Sequence, residues 1–186
     1  MLYADYQIQK KLTKYNANLT AGITNEMTNV SSDLFSGISR KINNSFYLQF
    51  DKKWGKLNVS LGSRYEFFNV NSEEKYLVDG DSINTMSASK PVFRTGLNYQ
   101  LAEATFIRSS WGQGYRFPSM AELFIFTEAA KGIYVYPNAG LKPESGWSSE
   151  IGIKQGVKFG NWLGYIDVAG FLMQYDDMME FSFGVW

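Results

Sequence analysis

Apolar and polar residues alternate with a period of two along most of this chain, the pattern of strands with one apolar and one polar face. From residue 15, the row Tyr15, Ala17, Leu19, Ala21, Ile23 opposes Asn16, Asn18, Thr20, Gly22, Thr24. From residue 57, Leu57, Val59, Leu61, Ser63, Tyr65, Phe67 oppose Asn58, Ser60, Gly62, Arg64, Glu66. The rows Phe93, Thr95, Leu97, Tyr99 and Trp147, Ser149, Ile151, Ile153 behave alike. Fainter strands lie over 2–9, 46–54, 105–115 and 163–175. The reading is about eight strands, each near the ~9–11 residues that cross a bilayer at a tilt. The strand at 163–175 is apolar in both rows, so its faces are left open, with Asp167 turned either to lipid or inward.

A soluble sandwich also alternates, with its apolar row turned inward. The connections discriminate. Short turns at 11–14, 54–56, 100–104 and 156–162 alternate with long polar segments at 25–45, 69–91 and 116–144. Outer-membrane barrels have short periplasmic turns and long external loops. On this reading strand 2–9 runs toward the periplasm and each later strand reverses. Pro91, Pro118, Pro137 and Pro143 sit in long connections or at a strand edge, where no ladder N–H is lost. Trp54 and Trp162 flank short turns while Tyr65, Phe67, Trp111 and Trp147 lie at the other strand ends, two aromatic belts of the kind membrane interfaces favour. Lys52 and Lys53, beside Trp54, can snorkel to headgroups. The expected fold is all-β: antiparallel up-and-down transmembrane β-barrel strands.

Composition narrows the chemistry. The 186 residues contain no cysteine and no histidine, which excludes disulfides, Cys- or His-ligated metal and the usual general base. Formal net charge is zero, so nothing points to nucleic acid. Glu122, Glu128, Glu144 and Glu150 have no fixed separation that would support carboxylate chemistry, and no enzyme, metal site or cofactor is expected. The pair at 112 and 114 lacks the third glycine of a phosphate loop. Asp79, Gly80 and Asp81, like Asp176 and Asp177, read as turn residues rather than calcium ligands.

The stretch 105–150 carries the most specific signal. It reads SWGQGYRFPS at 110–119, MAELF at 120–124, PNAGLKPE at 137–144 and EIGIK at 150–154. This resembles the late barrel of TonB-dependent outer-membrane receptors, where "S-Y-G-x-G-F-R-x-P-S" leads into "x-A-E-L", then "N-P-x-L-K-P-E" and "x-x-E-x-G-x-K". YDDMME at 175–180 resembles the family's "N-x-D-D-L/M-I-E", with Tyr175 where a polar residue is usual. Residues 45–68 resemble its "F-x-Q-D-x-W…L-x-L-G-x-R-Y" hairpin, with Phe50 before Asp51 where Gln is frequent.

The resemblance implies a receptor in the bacterial cell outer membrane that takes up a scarce nutrient (siderophore, haem, cobalamin, glycan or peptide), with energy relayed by the TonB complex through a plug. Residues 1–186 are expected to be a partial barrel domain, without the plug and the C-terminal strands. The absence of a signal peptide makes Met1 an internal or truncated start, and Trp186, out of phase with Met179, Phe181, Phe183 and Val185, reads as a truncation point. Partners implied are outer-membrane lipid, the rest of the receptor, the TonB complex and the nutrient. Under this topology Arg64, Glu66, Arg94, Arg108, Gly112, Gly114, Glu150 and Lys154 face the lumen and are candidates for contact with the plug. Ser119 is placed to cap one helical turn at 120–123, and Phe117, Phe124, Phe126, Tyr134 and Tyr136 are candidate ligand contacts in an external loop. The alternatives are a self-contained eight-stranded outer-membrane barrel, which could close with a filled interior, and a soluble β-barrel or sandwich used for binding.

Overall fold

The computed structural model describes residues 1–31, 37–78, 81–125 and 127–180. Eight strands form one antiparallel sheet: β1 (Leu2–Leu12), β2 (Ala17–Ser31), β3 (Ile38–Trp54), β4 (Leu57–Val78), β5 (Asp81–Ala102), β6 (Thr105–Arg116), β9 (Glu144–Phe159) and β10 (Trp162–Asp176). Between β6 and β9 the chain forms a short helix, α1 (Met120–Phe124), and a small hairpin of β7 (Thr127–Ala130) and β8 (Ile133–Val135). Every strand of the large sheet pairs with its neighbour in sequence, the loop excursion aside. Among the described residues β1 and β10 do not pair with each other, so this sheet is not a self-contained eight-stranded barrel. Nor is it a two-sheet sandwich.

The two rows of the sequence become the two faces. Leu61 stands opposite Phe50 on β3 and Thr95 on β5, and the register carries this row through Trp111 and Ser149 to Leu172. Leu61, Phe93, Leu97, Ile151, Ile166 and Leu172 are all exposed on that side. An apolar row left facing out across a whole sheet suits lipid rather than water. From Leu57 to Phe67 the row covers about 36 Å of strand at ~3.3 Å per residue, or about 25 Å of height at a ~45° tilt. That matches the apolar band of a membrane barrel.

Strand lengths differ from expectation. The strands of the large sheet run from 11 to 22 residues, and β4 and β5, each 22 residues long, absorb most of the polar segment read as a long loop. The cause lies on the outer face above Phe67. There the row turns polar, and Asn69 Nδ2 donates to Ser87 Oγ at 2.8 Å and Asn71 Nδ2 to Thr85 Oγ1 at 2.7 Å. On the inner face the row is apolar and buried at Phe68 and Val70, so the alternation inverts while the backbone ladder continues. Segment 25–45 behaves alike, because β2 extends to Ser31 and β3 starts at Ile38. Tyr15, placed in a strand by its row, instead belongs to the 3-10 turn Thr13–Tyr15, which Asn16 closes at φ 47°. Gly55, at φ 55°, gives the two-residue β3–β4 turn the left-handed backbone that hairpins favour. Asp79 and Gly80 lie outside the described residues, as do 181–186 and the terminal row placed there.

Candidate functional site

Arg64, Glu66, Arg94, Arg108, Gly112, Gly114, Glu150 and Lys154 share the face opposite the apolar row, because the register links Gly62 to Arg94, Arg94 to Gly112, and Ser110 to Glu150. They fall into separate clusters. Arg108 reaches across β9, with Nε 2.9 Å from Glu150 and Nη1 2.6 Å from Asp167 on β10. Gly152, the partner of Arg108 in the ladder, leaves the room: a β-carbon there would lie 3.2 Å from the guanidinium carbon. This settles the faces of β10. Asp167 points to the polar side, and Lys154 places its ammonium 3.9 Å from the centre of the Tyr165 ring on that side.

Nearer the large-loop end, Arg64 lies 2.6 Å from Glu66, which also accepts from Asn43 Nδ2 at 3.1 Å and shares its concavity with Tyr115. Tyr115 is a residue that alternation misplaces, since its row faces outward. Above Arg94 and Gly112 strands β5 and β6 part, and the Gln113 side chain takes over as acceptor for the Phe93 N–H at 3.1 Å. Pro91, two residues on, has no N–H to lose on that side. The end of β6, released from β5 but still paired with β9 as far as Arg116, carries Tyr115 toward Glu66. Gly112 gives space to Arg94, whose Cγ would sit 3.4 Å from a β-carbon, while Gly114 faces open space. Arg94 has no carboxylate within 4.0 Å among the described residues.

The loop beyond β6 folds back onto this polar face. Ser119 caps α1, accepting the Glu122 N–H, while the Glu122 carboxylate accepts the Ser119 N–H, a capping box. The helix thereby presents Met120, Leu123 and Phe124 to Phe68 and Val70 on β4, forming the buried cluster of the molecule with Ala139. Phe117 stacks on Phe68 with ring centres 4.3 Å apart. Arg116 holds the base of the loop, 2.8 Å from both Glu122 and Glu144. These groups lie beyond the aromatic belt, at the rim. The Arg116 guanidinium, with the Met179 N–H, holds the Glu144 carboxyl down to about 2, and Arg116 also lowers Glu122. Between α1 and the sheet lies a concavity of about 810 Å³, lined by Arg64, Glu66, Phe68, Tyr115, Phe117 and Met120 among others.

The five loop aromatics are therefore not one surface. Phe124 is buried and Phe117 half-buried, whereas Tyr134 and Tyr136 are exposed on and just after β8, their rings 6.3 Å apart. Phe126 lies outside the described residues. The carboxylates do not converge either: Glu128 accepts the Gly132 N–H, and Glu122 and Glu144 meet only through Arg116. Among the described residues no acidic cluster could hold a metal.

Residues 2–185 match the family model described as "TonB dependent receptor-like, beta-barrel". The chain belongs to the TonB-dependent receptor β-barrel family. Solved structures share its fold. The Serratia marcescens hemophore receptor HasR, solved as a double mutant with its hemophore HasA and heme, superposes with TM-score 0.75 at 16% identity, over 95% of this chain and 32% of its own. The iron transporter FrpB of Neisseria meningitidis (F3-3 variant) gives 0.68 at 16%, over 94% and 27%. The copper transporter OprC gives 0.64 at 15%, over 88% and 28%. The chain thus spans about a third or less of the length of these neighbours. No curated protein matches it.

Proposed function

We propose that residues 1–186 form part of the wall of a TonB-dependent receptor barrel in the bacterial outer membrane, serving energised uptake of a scarce nutrient. The observation that carries this reading is the two-faced sheet: an apolar outer band about 25 Å tall backed by a polar wall of ion pairs. A charge on the lipid side would be unfavourable by about 2–4 kcal/mol at midplane for Arg or Lys, and the described strands keep Arg64, Arg94 and Arg108 off it. In this reading the polar face is the lumen wall, the long connections are external, and the plug and TonB contacts belong to other parts of the receptor.

Arg94 is the lumen residue best placed to meet a plug carboxylate, being a cation without a carboxylate partner on the described wall. Phe117 and Phe124 support the loop, while Tyr134 and Tyr136 are its accessible candidates for ligand contact. The nutrient belongs to one of the classes the family carries, haem, siderophore, cobalamin, glycan and peptide among them. The test is the native species detected by an antibody against 117–144. An outer-membrane band several-fold heavier than 21.2 kDa, retained through salt and carbonate washing, is expected. A band at 21.2 kDa, or one released by the wash, would contradict the proposal.

A further inference from the structure

The charges of this neutral chain are not evenly spread. Lys10, Lys11 and Lys14 crowd the β1–β2 turn, and Lys52, Lys53 and Lys56 crowd the adjacent β3–β4 turn. The two turns are tied together, since the Lys53 N–H donates to the Asn16 carbonyl at 3.0 Å. None of the six ammonium groups has a carboxylate within 4.0 Å among the described residues, whereas Lys41, at the large-loop end, is paired with Glu26 at 2.5 Å. The one acid among these turns, Asp51, lies on the polar face and is engaged by Gln49 and Ser60. Lys10 and Lys52 stand instead in the outer, lipid-side row, in register with Leu19 and Val59.

Aromatic rings fix the cations there. The Lys52 ammonium sits 4.8 Å from the centre of the Trp54 ring and 5.9 Å from that of Tyr15, and Lys14 approaches the same Tyr15 ring at 6.0 Å. Tyr15 and Trp54 are themselves exposed. Two ammonium groups gathered on one ring at the edge of an apolar face repel each other unless an anion lies between them. Such a place is where lipid phosphates lie when the apolar band is in a bilayer.

We propose that the β1–β2 and β3–β4 turns form a binding site for the headgroup of an anionic phospholipid, with Lys14 and Lys52 on the phosphate, Lys10 beside it, and Tyr15 and Trp54 seated at the glycerol level. The site rests on the proposed orientation of the sheet in the membrane. It would hold the receptor at a fixed depth and favour an anionic leaflet at the short-turn rim.

The test uses the native receptor that carries these strands, purified from its membrane and titrated with phosphatidylglycerol, phosphatidylcholine or lipid A, with and without millimolar inorganic phosphate, under native mass spectrometry. Retention of phosphatidylglycerol over phosphatidylcholine by tenfold or more is expected. Lys14→Gln and Lys52→Gln should each weaken it about fivefold, as one basic residue near a charged surface does. Lys41→Gln, far from the rim, should leave it unchanged, and unaltered heat-modified gel mobility will show that each variant is folded. Equal retention of both lipids, equal loss with Lys41→Gln, or displacement by millimolar inorganic phosphate would each overturn the site. So would a preference for lipid A alone, which would place this rim in the opposite leaflet. Failure of the receptor reading itself shows separately, as absence of the species from the outer-membrane fraction.

Discussion

Gly152 illustrates how single residues govern the polar wall. A β-carbon there would stand 3.1 Å from both the Ala169 β-carbon and the Val168 carbonyl, and 3.2 Å from the Arg108 guanidinium. Gly152→Val should therefore overpack the β9–β10 pairing and destabilise it by about 1–3 kcal/mol. Gly170→Val, where a β-carbon meets nothing within 4 Å, should be tolerated. Heat-modified gel mobility of the two variants measures the difference. The Arg116 cluster sets a pH dependence at the same scale. Glu144 and Glu122 have folded values below the ordinary 4.5, so their contribution to holding the loop is full above about pH 4.5 and is lost as pH falls toward about 2. A fluorophore on Ala121→Cys should report no change between pH 5 and 8 and a release of α1 between about 4.5 and 2. In an Arg116→Ala background the acid transition should shift toward 4.5.

At the scale of elements, α1 is held by burial and by its capping box rather than by its own length. Phe124→Ala should loosen its docking by about 3–5 kcal/mol, the usual range for a buried phenylalanine. Tyr136→Ala, at an exposed position, should change stability by less than about 0.5 kcal/mol. Hydrogen exchange at 120–125 should rise in the first variant only, with β4 and β9 still protected. The strands were legible in the sequence because lipid and a polar wall make opposite demands on alternate residues, and rows such as Leu57 to Phe67 record both. Strand ends were not legible beyond Phe67. There the outer row turns polar at Asn69 and Asn71 while Phe68 and Val70 on the inner face are apolar, so the earlier pattern inverts although backbone pairing and side-chain amides continue the ladder. The polar face of β10 was hidden for a related reason: Phe171, Met173 and Tyr175 stand in the row of Asp167, and only Arg108 in register identifies it. The helix was visible in Ser119 and Glu122. That it would bury Phe124 depended on Phe68 and Val70, which are far away in sequence. Tyr115 escaped the pattern because the β5–β6 ladder stops below it.

The whole sheet has two open edges, β1 and β10, each with a row of backbone groups facing no strand among the described residues. Exposed edges beside an apolar face favour association. The 186-residue chain on its own should therefore fail to refold in detergent to a heat-resistant, protease-resistant monomer; recovery of such a monomer would require the edges to close on each other. The central claim is that one face of this sheet meets lipid and the other meets the lumen. Residues 1–186 contain no cysteine, so single cysteines placed in turn at 57–71, in a native receptor freed of any cysteine elsewhere, can carry spin labels. Their accessibility to oxygen, which concentrates in lipid, and to a water-soluble nickel complex should alternate. Odd positions from 57 to 67 should favour oxygen, even positions from 58 to 64 should favour nickel, Phe68 and Val70 should be shielded beneath α1, and the odd row should switch to nickel at Asn69. Odd positions shielded from both reagents, as in the interior of a soluble sandwich, or a profile without period two, would contradict the account.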